Sequence, residues 1–254
     1  MRFSSAIVKP PAPTFISGLT TSHLGDPDFS KALDQHAAYV EALKSCGLSV
    51  IVLDPDDRYP DTTFVEDTAL VTGDLAIITR PGAPSRRGEV EDIERTLRQH
   101  FNVIGRVVAP GTVDAGDMMM VGAHFYIGLS SRTNIEGANQ VIGVLEANGR
   151  TGSTVPLADA LHLKSVVSYI ELNNLVATEE MSTEAQFVNL EKLVVSADER
   201  YAANCLWING TVLVAAGHPK TKSKIQSYEY SVIELDMSEF QKLDGGLSCL
   251  SLRF

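Results

Sequence analysis

The chain has 254 residues, 44% hydrophobic and 21% charged, which excludes wholesale disorder and allows a large buried core. Its 21 Lys and Arg against 32 Asp and Glu give a formal charge of −11, which argues against nucleic acid or an anionic membrane as a partner and favours a small cation. Three scattered cysteines, Cys46, Cys205 and Cys249, exclude a disulfide scaffold and point to free thiols in a reducing compartment.

The N-terminal segment has no apolar core of a signal peptide, and no apolar run approaches a membrane span, so a cytoplasmic protein is expected. A strand is expected at 5–9. Leu33, His36, Val40 and Leu43 then recur at helical spacing, with Gly47 placed to end the helix. DTALVTGDLAIIT (67–79) reads as a hairpin turning at Gly73. Val90, Ile93 and Leu97 mark a second helix, followed by an apolar strand VVAP (107–110). DMMMVGAHFYIG (117–128) is a hairpin turning at Gly122, and Ile135, Ala138, Ile142 and Leu145 mark a helix ended by Gly149. SVVSYIELNNLVAT (165–178) turns at 171–174, with a weaker helix at 183–189 and a strand LVV (193–195) after it. NCLWINGTVLVAA (204–216) turns at Asn209-Gly210, a pair suited to two consecutive positive φ angles. A helix at 221–228, the strand SVIEL (231–235) and a last strand SCLSLRF (248–254) complete the chain.

These segments repeat a strand–strand–helix–strand unit at intervals of about 40–50 residues, a spacing typical of strand-rich repeats. The N-terminal strand is left over and would close a ring against the C-terminal strand, removing the exposed sheet edges. A generic α/β sheet is the alternative that pattern alone leaves open.

Strand beginnings at one end of such a ring would converge on its axis. The polar residues there are Glu66, Asp67, Asp114, Asp117, His162, Asn204 and Cys249. Each taken singly is equally an edge or turn residue. As a set they contain a thiol nucleophile, an imidazole, an acid to orient it and carboxylates for a cation. The ligands are scattered singly, without zinc spacing, and no metal or organic cofactor is expected. Dinucleotide, P-loop and nucleophile-elbow motifs are missing from the sequence.

Segments along the whole chain carry a resemblance: SGLTTSHLG (17–25), YPDTTFVEDTAL (59–70), TRPGAPSRRGE (79–89), PGTVDAGDMMMVG (110–122), GLSSRTN (128–134), LHLKS (161–165), YAANCLWIN (201–209) and DGGLSCLSLRF (244–254). Together they resemble the guanidine-modifying superfamily and, within it, the dimethylarginine dimethylaminohydrolase family. The resemblance implies an α/β fold, a five-bladed pseudo-symmetric propeller of ββαβ units forming one catalytic domain over 1–254. It also implies that Cys249 is the nucleophile, His162 the general acid/base and Asp114 the acid that orients it. By position, Glu66 and Asp67 match the carboxylates for the substrate guanidinium, Arg86 and Arg132 match the groups for its α-carboxylate, and Asp61 matches the contact to its α-amine. Leu19 falls on a mobile lid and Leu243 on the pocket wall. Arg87 adjoins Arg86 and competes for the same role.

The activity implied is hydrolysis of Nω-methylated arginine to citrulline and a methylamine through a covalent thiouronium. Arginine deiminase or amidinotransferase chemistry is the alternative on the same scaffold. The partner implied is a small cationic amino acid, with no nucleic acid and no membrane; the association state is open and includes a homodimer. Glu66 and Asp67 are adjacent, so in a regular strand they would point to opposite faces. Both reach one guanidinium only if the chain leaves strand geometry there or if they bind different nitrogens, Asp67 the unmethylated ones and Glu66 the methylated side, near Phe64 and Leu243.

Overall fold

A computed structural model describes residues 2–158 and 160–254. It opens with β1 (Ser5–Val8), α1 (Phe29–Ser45) and β2 (Ser49–Val52). Four repeats follow. The first is β3 (Ala69–Thr72), β4 (Leu75–Ile78), α2 (Val90–Leu97) and β5 (Val103–Arg106). The second is β6 (Met118–Val121), β7 (His124–Leu129), α3 (Ile135–Ala147) and β8 (Thr151–Pro156). The third is β9 (Val167–Tyr169), β10 (Asn174–Ala177), α4 (Glu179–Ser182) and β11 (Glu191–Val194). The fourth is β12 (Leu206–Ile208), β13 (Thr211–Ala215), α5 (Pro219–Gln226) and β14 (Ser231–Leu235), after which α6 (Ser238–Gln241) leads to β15 (Leu252–Arg253).

In each repeat the first two strands form an antiparallel hairpin, and the helix carries the chain to a third strand parallel to the second. The fifth sheet is assembled from both ends of the chain. β15 pairs antiparallel with β1 at Ala6↔Arg253 and Ile7↔Leu252, and β1 runs parallel to β2. The result is a mixed α/β fold of five three-stranded sheets. Middle strands such as LAII in β4 are buried throughout, as expected for strands covered on both faces, whereas β2 and β5 have exposed ends.

Local chemistry sets these elements. Asp28 and Asn134 cap α1 and α3 by accepting from the backbone N–H groups of Lys31 and Gly137. Gly47 and Gly149 follow the two helices at φ 89° and 71°, the left-handed conformation that ends a helix. Two expected elements shift. VVAP (107–110) is not a strand: the strand is β5 just before it, and its ladder ends where the Val107 N–H donates to the Ile78 carbonyl. The helix expected at 183–189 begins earlier, as α4, because the Thr178 side chain caps it; only a 3-10 turn, Ala185–Phe187, remains in the expected stretch.

Five apolar clusters lie between the sheets. Ile7 and Leu252 pack with Ile78, Ile93 and Leu97. Leu75 and Ile77 pack with Phe125 and Val141. Met119 and Val155 meet Leu175 and Phe187, and Val176 and Leu193 meet Val214 and Ile225. The last cluster joins Ile208 and Leu213 to Ala6, Tyr39 and Leu43, so each sheet is packed between two others. A 3-10 turn precedes the first strand of each of the four hairpins, at Val65–Thr68, Ala115–Asp117, Leu163–Ser165 and Ala197–Ala203, and a fifth, Leu247–Leu250, precedes β15. The first of these touches the second and the fifth, and the third touches the second and the fourth.

The fourth hairpin turn ties the terminal sheet to its neighbour. Asn209 and Gly210 have φ 50° and 98°, the type I′ pattern read from the sequence. The Asn209 side chain accepts from the Phe3 N–H at 2.9 Å and donates to the carbonyls of Phe3 and Cys46 at 2.9 and 3.0 Å. Asn209→Gly should lose these bonds, at about 1 kcal/mol each. Asn209→Ala should lose them and add left-handed strain of about 1 kcal/mol. Urea unfolding should therefore rank the parent above Gly and Gly above Ala; an Ala variant as stable as the parent would contradict this account.

Candidate active site

The 3-10 turns, and not the strands, present the polar residues. Glu66 and Asp67 lie in the turn Val65–Thr68, where successive side chains are roughly 120° apart, so the opposite-face restriction of a strand does not apply. Asp67 lines a pocket together with Leu19, Asp61, Phe64, Arg132, His162, Leu243 and Cys249, and Arg86 reaches the same wall. Glu66 does not line it. One Glu66 oxygen, Oε1, takes Lys164 Nζ at 2.6 Å and Arg253 Nη2 at 2.8 Å, while Oε2 is buried with no hydrogen-bond partner.

His162 immediately precedes the turn Leu163–Ser165. Its Nε2 lies 3.0 Å from Asp114 Oδ2 and 3.9 Å from Asp67 Oδ1. Asp114 is fully buried, and its other oxygen accepts from the Gly82 N–H at 2.9 Å. Of the two acids around Gly116, Asp114 therefore holds the ring. Asp117 holds the backbone beside it, accepting from the Leu163 N–H at 2.9 Å and from the Ser130 and Thr133 hydroxyls. A Cβ on Gly116 would stand 2.7 Å from Asp67 Oδ1 and 2.9 Å from His162 Nδ1, so only glycine lets these groups close up. Burial alone would lower the His162 pKa. The Asp67 charge, the Asp114 hydrogen bond and the Asp117 charge outweigh it and raise the pKa to about 9, so the ring is an imidazolium near neutrality.

Cys249 sits in the turn Leu247–Leu250, where its Sγ accepts from the Gly246 N–H at 3.4 Å. Burial, then the charges of Glu66 and Asp67, push its thiol well above the ordinary cysteine range. Asn204 braces this turn: it accepts from the Ser248 N–H at 3.1 Å and donates to the Ser248 hydroxyl and the Lys164 carbonyl. A Cβ on Gly246 would come within 2.6 Å of the Asn204 side chain.

The same pocket carries the remaining residues matched by position. Asp61 Oδ1 accepts from the Leu19 N–H at 2.9 Å, holding the segment that also reaches Asp244 through the Thr21 N–H and hydroxyl. Arg132 has no hydrogen bond or ion pair through its guanidinium among the described residues, and its charge acts on Asp61. Arg86 differs. It is buried, with Nη1 2.5 Å from Asp67 Oδ2, Nε and Nη2 on the Glu89 carboxylate, and Nη2 also on the Phe64 carbonyl at 3.0 Å. Arg87 donates to the Pro81 carbonyl and does not line the pocket. Burial pushes Glu89 up to about 7, with Arg86 working against the rise. Burial also opposes charge on Asp67, but His162 and Arg86 hold its pKa below the usual range.

Asp67, Asp114 and His162 place one possible metal-ligating atom each within 4.8 Å of the others. Those atoms are already engaged with Arg86, with the Gly82 and Gly116 N–H groups and with one another, and a guanidinium in contact disfavours a dication. The donor set fits a hydrogen-bonded acid–imidazole unit.

The sequence reading did not single out Glu89, Lys164, Arg253 or Asp244. Glu89 stands immediately before α2, and the partner of the two cations, Glu66, lies far from both in sequence. Arg86 and Arg132 should separate in stability. Arg86→Ala leaves Asp67 and Glu89 buried without their cation and should cost about 3–5 kcal/mol. Arg132→Ala should change stability by under about 0.5 kcal/mol. Thermal and urea unfolding of both variants measure the difference; equal losses would contradict the pairing described here.

The family model described as "N,N dimethylarginine dimethylhydrolase, eukaryotic" matches residues 25–251. The chain is 51% identical over 253 residues to N(G),N(G)-dimethylarginine dimethylaminohydrolase of Pseudomonas aeruginosa, covering 99% of this chain and 100% of that one. A solved structure of DDAH from Pseudomonas aeruginosa, a cysteine-to-serine mutant complexed with citrulline, superposes with a TM-score of 0.99 at 50% identity over 100% of both chains. A second, a dimethylarginine dimethylaminohydrolase histidine-to-glycine adduct with S-methyl-L-thiocitrulline, gives a TM-score of 0.98 at 51% identity over 99% of this chain and 100% of that one. Likeness of this extent in sequence and in structure, end to end, shows that the chain belongs to the dimethylarginine dimethylaminohydrolase family.

Proposed function

We propose that this chain hydrolyses Nω-methylated arginine to citrulline and a methylamine, with Cys249 as nucleophile, His162 as general acid/base and Asp114 orienting His162. One observation carries the reading: the pocket that holds Cys249 and His162 also has Asp67 beside the imidazole and an unpaired Arg132 with Asp61. That is a reacting centre with a carboxylate for a guanidinium, next to opposite charges for the two ends of an α-amino acid. The citrulline complex and thiocitrulline adduct of the two relatives fit the same product and covalent route.

The five sheets form, on this reading, one catalytic domain over 1–254, closed into a five-bladed α/β propeller. The support is the pairing of β1 with β15 and the apolar cluster that joins the fourth repeat to the terminal sheet. The three unpaired cysteines fit a reducing, cytoplasmic setting. Among the described residues no helix is long and apolar enough to cross a membrane.

The substrate guanidinium lies against Asp67, which lines the pocket, and within the field of Glu66, whose charge also acts on Cys249. Its positive charge offsets the two carboxylates that oppose a thiolate at Cys249, and the thiol releases its proton to solvent. The sulfur adds to the guanidinium carbon. The His162 imidazolium gives its proton to the methylated nitrogen, the C–N bond breaks, and the amine leaves a cationic thiouronium and a neutral imidazole. That imidazole takes a proton from water as the water oxygen adds to the same carbon. The C–S bond then breaks, the hydroxyl proton returns to sulfur, and neutral citrulline leaves. Asp114 keeps the ring in place through both proton transfers. Phe64 and Leu243 supply apolar surface suited to methyl groups, so methylated arginine should be turned over and arginine itself barely.

Cys249→Ser should abolish citrulline formation while keeping the fold and the binding of substrate, and a trapped adduct should map by mass to Cys249. Full activity in the Ser variant would refute the mechanism. Arg132→Ala should raise KM roughly tenfold to a hundredfold with less effect on kcat, since charged hydrogen bonds to the carboxylate are lost. A methylated agmatine, which lacks the carboxylate, should be a poor substrate of the parent and indifferent to the substitution. Equal processing of the agmatine and the amino acid would refute the assignment of Arg132.

A further inference from the structure

Asn204 is one of the polar residues at the strand starts, yet it is not among the residues that line the pocket of Cys249. It directly follows the turn Ala197–Ala203 and is buried. Its amide is divided between two other turns. Oδ1 accepts from the Ser248 N–H at 3.1 Å, and Nδ2 donates to the Ser248 hydroxyl at 3.0 Å, both in the turn that carries Cys249. The same Nδ2 donates to the Lys164 carbonyl at 2.9 Å, in the turn that begins just after His162. Both amide hydrogens and the amide oxygen are therefore engaged.

These bonds close a circuit. The Ser248 carbonyl accepts from Arg253 Nη1 at 3.0 Å, and Arg253 Nη2 and Lys164 Nζ meet on Glu66 Oε1. The circuit passes through the residue before Cys249, the second residue after His162 and the residue before Asp67. Asn204 joins the first two of these directly, across 44 and 40 positions of sequence. Close packing supports the tie. A Cβ on Gly246 would stand 2.6 Å from Asn204 Cγ and Oδ1, so the amide lies against the residue whose N–H donates to Cys249 Sγ.

The reaction sets two groups to work on one guanidinium. Sulfur must meet the carbon while the imidazolium reaches the departing nitrogen. A misplacement of about 1 Å between such groups can cost about a hundredfold in rate. We infer that Asn204 is a positioning residue: it fixes Cys249 relative to His162 by tying their two turns together, and touches neither substrate nor reacting atoms. The inference rests on the roles proposed above for Cys249 and His162. A neutral amide suits this place. It offers an acceptor to one turn and donors to both, and adds no charge to a region already rich in carboxylates.

The test sets Asn204→Ala against Ser248→Ala, with Nω,Nω-dimethylarginine as substrate. Ser248→Ala removes one of the Asn204 bonds but keeps the tie, since the Ser248 N–H and the Lys164 carbonyl remain. Asn204→Ala should lower kcat roughly tenfold to a hundredfold and leave KM within about threefold, because the residues that line the pocket are unchanged. Ser248→Ala should keep kcat within about twofold of the parent. Asn204→Leu is close to isosteric, removes the hydrogen bonds while keeping the volume, and serves if Asn204→Ala does not fold; it should show the same loss of kcat. Amide hydrogen exchange over 246–250 needs no substrate. It should speed up at least about fivefold in Asn204→Ala, the effect of one lost hydrogen bond, with the hairpin at 118–129 unchanged. A parent that forms no citrulline would count against the proposed reaction, and the exchange would still decide the tie. Parental kcat in the Asn204 variants, a rise in KM that matches the fall in kcat, or unchanged exchange over 246–250 would each overturn the inference.

Discussion

The structure turns on a surplus of buried negative charge. Asp61, Glu66, Asp67, Glu89, Asp114 and Asp117 are all withdrawn from water around one region, and the cations beside them are Arg86, Arg132, Lys164, Arg253 and His162. Buried carboxylates are costly unless paired and hydrogen-bonded. Each of these acids has taken a partner: Asp117 two hydroxyls and an N–H, Asp114 an N–H and an imidazole, and Glu89 a guanidinium. What is left over is an acidic wall that a bound cation completes. The same excess raises the His162 pKa and the Cys249 thiol together, so charge balance decides the protonation of both.

The architecture makes this concentration of charge tolerable. Each repeat contributes a rigid hairpin, and the turn before it delivers polar residues from a backbone anchored on both sides by apolar clusters. The two chain ends meet in one sheet, which places Arg253 of the last strand beside Glu66 of the first repeat, 187 residues apart in sequence. Adjacent residues then line different cavities: Asp67 lines the thiol pocket, and Glu66 lines a second cavity together with its two cations, Lys164 and Arg253. The 3-10 geometry of residues 65–68 is what separates them.

Hairpins and helices were legible because their signals are local. Asn209-Gly210, Gly47 and Gly149 each demand a left-handed backbone, and each adopts it. The sheet of both termini was legible as a leftover strand needing a partner. The 3-10 turns were not, since four-residue stretches such as VEDT carry no period. Cys249, His162 and Asp67 do share a pocket, as their common position at strand starts implied, while Asp61, which lines it too, was matched only through the family resemblance. The clamp on Arg86 was hidden because Glu89, three residues on, looks like an ordinary acid at a helix start. Lys164 and Arg253 escaped notice for a related reason: their partner, Glu66, is distant in sequence, and closure of the terminal sheet brings it near Arg253.

The most direct test of the charge-balance account is the ionisation of Cys249 itself, followed by thiolate absorbance across pH in the presence and absence of a non-reacting guanidinium mimic. A Cys249→Ser control removes the signal of the other cysteines. The thiol of the empty enzyme should stay protonated beyond the ordinary value of about 8.5. Its titration should move down when the mimic binds, because that cation offsets Glu66 and Asp67. A thiol already ionised near about pH 6 and unmoved by the mimic would contradict the account and leave the imidazolium of His162 as the sole activator.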